Sequence, residues 1–118
     1  MRKMLILLVA FLLLLISPGV IKEPYISIEH PKKYAERMAL LLWDEHQWRC
    51  LHELWQRESK WNPRADNPKS TAYGIPQILG MPEDTPILKQ IDLGLAYVEH
   101  RYDTPCKALV HHLRRGWY

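Results

Sequence analysis

Leu5 to Ile16 is an unbroken run of 12 apolar residues, and it divides the chain into a leader and a remainder that has to fold. Met1-Arg2-Lys3 supplies a basic start, and Ser17-Pro18-Gly19 breaks the run with small residues at cleavage-type positions, the anatomy of a signal peptide. The run is shorter than the roughly 20 residues a helical span needs, although Val20 and Ile21 could extend it. Residues 1–19 are therefore expected to be a cleaved signal or a retained anchor, with residues 4–16 as the tether. Either way the remaining chain is expected outside the cytoplasm, secreted, periplasmic or held at the membrane.

Removing residues 1–19 from 118 leaves 99 residues, enough for one domain with a small core that gains from a covalent staple. Cys50 and Cys106 are the two cysteines, and in an exported chain they are expected to form one disulfide. The closed loop would exceed 50 residues and contribute roughly 4 kcal/mol in the chain-entropy model; two separate thiols are the alternative. Lys and Arg number 16 against 13 Asp and Glu, and without Arg2 and Lys3 the balance is 14 against 13. A chain so close to neutral has no nucleic-acid stripe, and Lys32-Lys33 and Arg114-Arg115 are only local pairs. Such a surface still tolerates an anionic polymer such as a cell wall.

Residues 20–33, with Pro24 and Pro31, read as a linker. Residues 34–47 read as a helix with Tyr34, Met38, Leu41, Leu42 and Glu45 on one face. Residues 48–58 read as a second helix, in which Leu51, Leu54, Trp55 and Glu58 share the apolar stripe. Residues 59–72 are turn-rich, 73–79 short extended structure or turn, and 80–84 loop. Thr85-Pro86 is expected to cap a helix running to Tyr102, with Leu88, Ile91, Leu95, Val98 and Tyr102 inward and Gly94 against a close neighbour. Thr104-Pro105 is expected to open a last helix carrying Cys106. The fold class is thus mainly α, a small helical domain over residues 34–118 with a loop-rich insert.

Glu58 is the residue that most invites chemistry. A carboxyl group on an apolar stripe is desolvated, and at a helix C-terminus it meets the negative end of the dipole; both raise its pKa. A glycosidase needs such a protonated group to donate to the leaving oxygen. The ordinary alternative pairs Glu58 with Arg57 or Arg64. No second carboxylate is placed beside it: Asp66 sits in an Asx-turn context, and Asp84 and Asp92 lie further off. The six histidines show no metal-ligand spacing, so no metal and no cofactor is expected. Trp55 is expected in the core, whereas Trp61 and Trp117 flank polar loops and could either fill volume or face a sugar ring.

Taken in order, Cys50-Leu51, Leu54-Trp55, Glu58-Ser59-Lys60-Trp61-Asn62-Pro63, Ala65, Asn67-Pro68, Ser70 and Ala72-Tyr73-Gly74-Ile75-Pro76-Gln77 resemble the lysozyme-like, soluble lytic transglycosylase type of domain. The likeness is closest to small secreted and phage-encoded modules and extends through Gly94 to Val98, Arg101-Tyr102, Pro105-Cys106 and Gly116-Trp117-Tyr118. The resemblance implies a lysozyme-like fold acting, as a monomer, on peptidoglycan glycan strands. It implies cleavage of the β-1,4 bond from N-acetylmuramic acid to N-acetylglucosamine with a 1,6-anhydro product. By position Glu58 is the catalytic acid/base, Gln77 contacts substrate, and Ser59, Ser70 and Tyr73 line the cleft; Cys50 and Cys106 match a cysteine pair. The segment after Gln77 is short, and His111-His112 stands where relatives carry Tyr-Asn or His-Ser, which makes His111 the candidate support for Glu58. A hydrolytic lysozyme and a non-catalytic wall-binding or virion module are the competing readings.

Overall fold

The computed structural model describes residues 30–118; the expected leader and most of the expected linker lie outside these residues. Four helices and a minimal hairpin make up the fold: α1 (Pro31–Leu42), α2 (Glu45–Ser59), β1 (Ala72–Tyr73), β2 (Ile78–Leu79), α3 (Ile87–Tyr102) and α4 (Pro105–Arg115). None of the described helices is long and apolar enough to cross a membrane.

The first two helices are bounded differently from the sequence expectation. Pro31 occupies the first turn of α1, and His30 caps it by accepting from the Lys32 N–H at 3.3 Å, so the helix starts three residues before Tyr34. Proline breaks a helix interior but suits its first turn, where the missing N–H would have no partner anyway. The break between helices falls at Trp43-Asp44 rather than near Gln47, because the Asp44 carboxylate accepts from the Gln47 N–H at 3.0 Å and starts α2. The buried face of α1 is Ala35 and Ala39, flanked by Tyr34 and Met38. Leu41, expected inward, is 75% exposed, Leu42 is exposed as well, and Glu45 belongs to α2.

Helix α2 is the spine. Leu51, Leu54 and Trp55 are fully buried, and Trp48 and Trp61 close an edge-to-face aromatic cluster around them. Its most extensive partner is α4, to which the Cys50–Cys106 disulfide ties it. A half-buried disulfide of this kind is compatible with export.

On α3 the expected stripe is met: Ile91, Leu95 and Val98 are buried, with Leu88 and Tyr102 at its edges. A Cβ on Gly94 would lie 2.6 Å from the Trp55 ring and 2.7 Å from Pro76 Cβ, so α2 and the hairpin loop can approach α3 only because this position is glycine. Thr85 does not cap α3; Pro86 takes the cap position and Thr85 donates to Pro82 O. Thr104 does cap α4, accepting from the Lys107 N–H.

The insert is held by a residue that polarity alone would place on the surface. Gln90 is 1% exposed. Its Oε1 accepts from Ile75 N–H at 2.9 Å, and its Nε2 donates to Pro63 O at 3.0 Å and Thr85 O at 3.2 Å. One buried amide thus satisfies three backbone groups of the irregular segment, the condition under which such backbone can be buried. Gly74, at φ +82°, leaves room for it, since a Cβ there would fall 2.4 Å from Gln90 Oε1.

Candidate functional site

Glu58 lies in the last turn of α2, and the chain turns away sharply behind it. Lys60 and Trp61 both adopt left-handed backbone, at φ 51° and 60°, a conformation unfavourable to residues with a Cβ. Burial of the Trp61 ring and its Nε1–H donation to His52 O at 3.2 Å offset that cost. Trp61 is therefore a core anchor that ends α2 immediately after Glu58.

The Glu58 side chain is 13% exposed, and the His112 side chain facing it from α4 is 15% exposed. Glu58 Oε1 and His112 Nδ1 are 2.6 Å apart. Both atoms are sealed from solvent, and neither completes a hydrogen bond of ordinary angle with any other group. Two lone pairs this close would repel, so the contact holds a proton between them, of the charge-assisted or acid-to-imidazole kind. Desolvation raises the Glu58 pKa to about 7. Burial lowers that of His112, and Arg57 and His111 push it further down. Around neutral pH the carboxyl is therefore partly protonated, with a proton it can release, beside an imidazole whose charged form is disfavoured. Neither arginine considered as a partner takes Glu58: Arg57 pairs with Glu53 at 2.7 Å, and Arg64 is exposed.

Glu58 opens into a cleft of about 300 Å³ lined also by Asn67, Ser70, Ala72, Gln77, Leu79, Gly116, Trp117 and Tyr118. It is the only Asp or Glu side chain among these described lining residues; Asp66 sits on the exposed insert. The hairpin, α2 and the chain after α4 each supply a wall. Tyr118 is buried: its hydroxyl accepts from Trp55 Nε1–H at 3.0 Å and donates to Pro76 O, and burial holds its pKa well above the ordinary phenol value. Trp117, 51% exposed, offers its ring to the cleft. Arg101 stands 5.4 Å from that ring.

Of the residues singled out from sequence, Glu58, Ser70 and Gln77 come together in this cleft. Gln77 spends its Nε2 on Ala65 O at 2.8 Å and Gly74 O at 2.9 Å, which orients the amide. Ser59 is not at the cleft; its hydroxyl donates to Ile75 O at 2.7 Å inside the core. Tyr73 is buried in the hairpin, bridged to Asp66. His111 does not meet Glu58; its ring packs on Tyr102 and Trp117, and His112 takes the position beside the carboxyl. Adjacent helix residues point about 100° apart, so only one of the two histidines can face α2, and the sequence does not say which. Asn67 and Tyr118 were not expected as lining residues; the first lies on a turn and the second arrives only by tertiary packing.

His46 has its ring nitrogen within 4.8 Å of both Cys50 and Cys106 sulfurs, but these are bonded to each other and offer no thiolate to a metal. The cleft's donors are one carboxyl, amides, a hydroxyl and an indole face, a set suited to hydrogen bonding and stacking with a neutral polyhydroxy ligand. No protein-family model, curated protein or solved structure matches the chain.

Proposed function

We propose that this domain is a lysozyme-like, peptidoglycan-cleaving lytic transglycosylase, with Glu58 as its only catalytic acid/base. The observation that carries the reading is a single buried carboxyl, its pKa raised to about 7, facing a cleft with no second Asp or Glu side chain among its described lining residues. Hydrolysis by the usual two-carboxylate route needs a base or nucleophile opposite the acid. A reaction in which the substrate brings its own nucleophile does not.

The chemistry follows from one proton. Glu58 donates to the oxygen linking muramic C1 to the next sugar, and the C1–O bond breaks with its electron pair on that oxygen. The Glu58 carboxylate then takes the proton of the muramyl C6 hydroxyl as O6 bonds to C1. The 1,6-anhydro ring forms, no water is consumed, and the acid is regenerated. His112 aims Glu58 by standing 2.6 Å from Oε1, so it is a positioning residue. Trp117 offers a stacking face, and Ser70, Asn67 and Gln77 offer hydrogen bonds to hydroxyl and acetamido groups.

The test is digestion of purified peptidoglycan by the oxidised protein, with mass spectrometry of the soluble products. Anhydromuropeptides are expected, lighter by one water than the hydrolytic products and without a reducible muramic end. Reducing muropeptides would instead make the protein a hydrolytic lysozyme, and sedimentation with the wall without any product would make it a binding module.

A further inference from the structure

Cys50 and Cys106 join α2 to α4, and with His46 they also bring three ligand-type side chains to one place. His46 and Cys50 are four residues apart on α2, so they lie one above the other on the same helix face. Cys106 comes from the first turn of α4, and its Sγ lies 3.8 Å from the backbone oxygen of His46. A ring nitrogen of His46 and the two sulfurs all lie within 4.8 Å of one another. The backbone holds this arrangement: the Cys106 N–H donates to Gln47 Oε1 at 2.9 Å, and the two cysteine Cα atoms are 5.0 Å apart. His46 is exposed, and among the described residues no hydrogen bond or ion pair is found for its ring. The cysteines are half-buried, within reach of a small thiol.

As a disulfide the pair offers a metal nothing. We propose that, once this bond is reduced, His46, Cys50 and Cys106 form a zinc site, so that a metal can take the place of the disulfide between α2 and α4. The exchange balances. A dithiol reductant gives up two electrons and two protons, its own sulfurs ending as a disulfide, and the Cys50–Cys106 bond breaks to two thiols. Zn²⁺ then binds two thiolates and the neutral imidazole, and the two thiol protons leave to solvent. Tetrahedral zinc takes sulfur at about 2.3 Å and imidazole nitrogen at about 2.0–2.1 Å, which sets its ligand atoms roughly 3.5–3.8 Å apart. With the Cα atoms at 5.0 Å, rotation of the cysteine side chains opens the sulfurs to that spacing. Two thiolates and an imidazole are a soft set, suited to zinc and not to magnesium or calcium. Cys106 stands at the N-terminus of α4, where the helix dipole favours a thiolate. His46 faces solvent, which leaves the fourth position to water. A chain read as exported meets reducing conditions before it meets oxidising ones, and zinc would hold the two helices together in that interval. None of this depends on what the Glu58 cleft binds.

Cobalt(II), a spectroscopic stand-in for zinc, tests this on the protein reduced with a phosphine and on the same protein oxidised. The reduced protein is expected to bind one equivalent, with a sulfur-to-cobalt charge-transfer band and the intense visible bands of a tetrahedral site, and to lose both when zinc is added. The oxidised protein is expected to show neither. His46→Ala changes an exposed position and keeps both cysteines. It is expected to bind cobalt at least about tenfold more weakly, the order of loss that a disturbed metal shell brings. Melting followed by circular dichroism gives a second readout: zinc should raise the midpoint of the reduced protein and leave that of the oxidised protein unchanged. Reduced protein that unfolds without metal should recover its helix signal when zinc is added. A reduced protein without these bands, equal cobalt affinity in His46→Ala, an equal response from the oxidised protein, or two chains per metal ion would overturn the proposal.

Discussion

The two histidines that follow one another on α4 meet different surroundings. On the cleft side Glu58 Oε1 and His112 Nδ1 face each other at 2.6 Å, close enough to share a proton. On the other side of α4 the His111 ring packs between Tyr102 and Trp117. The first arrangement can hold a proton between two protein atoms, and the second is an aromatic contact. Adjacent residues of one helix, His111 and His112, thus serve different ends because a 100° step sends one toward α2 and the other toward Tyr102 and Trp117.

The comparison is broken most severely by removing the stored proton. Glu58→Gln keeps the shape of the carboxyl and cannot act as an acid, so wall lysis is expected to fall by at least about 10²- to 10⁴-fold, the range for general acid catalysis. Circular dichroism should be unchanged, and lysis retained by the variant would remove Glu58 from the mechanism. Next in size is the tie between the helices that carry the pair. Cys50 and Cys106 are 56 residues apart, and replacing both by serine is expected to cost roughly 4 kcal/mol in urea melts; loss of activity should track loss of fold. Gly94→Ala, which drives a Cβ into Trp55 and Pro76, should destabilise by about 1–3 kcal/mol and distort the hairpin wall of the cleft.

Titration sharpens the contrast further. The folded Glu58 has its pKa raised from 4.5 to about 7, so between these values the folded state holds a proton that the unfolded chain has released. Its contribution to stability is complete below pH 4.5 and is lost as pH rises through 7. His112 is shifted down, so its contribution is complete above its ordinary pKa near 6.5 and is lost as pH falls through its lowered folded value. Glu58→Gln should therefore match the wild type near pH 4 and exceed it at pH 8, by about 3 kcal/mol at most, in denaturant melts at the two pH values. The same groups bracket activity: kcat/KM should fall on the alkaline side as Glu58 ionises and on the acid side as His112 protonates. His112→Gln is the smallest of the changes, with about a tenfold drop expected and the acid limb flattened; an unaltered pH profile would reduce His112 to packing.

Much of this molecule could be read from the chain. The 3.6-residue stripes of α2 and α3, the Thr104-Pro105 start of α4 and the position of Glu58 at a helix end follow from local periodicity and cap chemistry, which act over a few residues and leave their mark in order; the cysteine pairing follows from there being two cysteines in a chain read as exported. What only the tertiary structure decided is which side chains meet across elements. Leu41 reads as core and is exposed, because the small faces of Ala35 and Ala39 are what the neighbouring helices pack against. Gln90 reads as surface and is buried, because three loop backbone groups needed a partner. Ser59 reads as a cleft residue and is tied to Ile75 O. The choice of His112 over His111 and the arrival of Tyr118 beneath the cleft depend on the packing of α4 on α2, a contact between segments more than 50 residues apart. Local propensity says where a helix begins; the rotation at which two helices bury each other, and so which residue of a pair faces the site, is set by packing across the whole core.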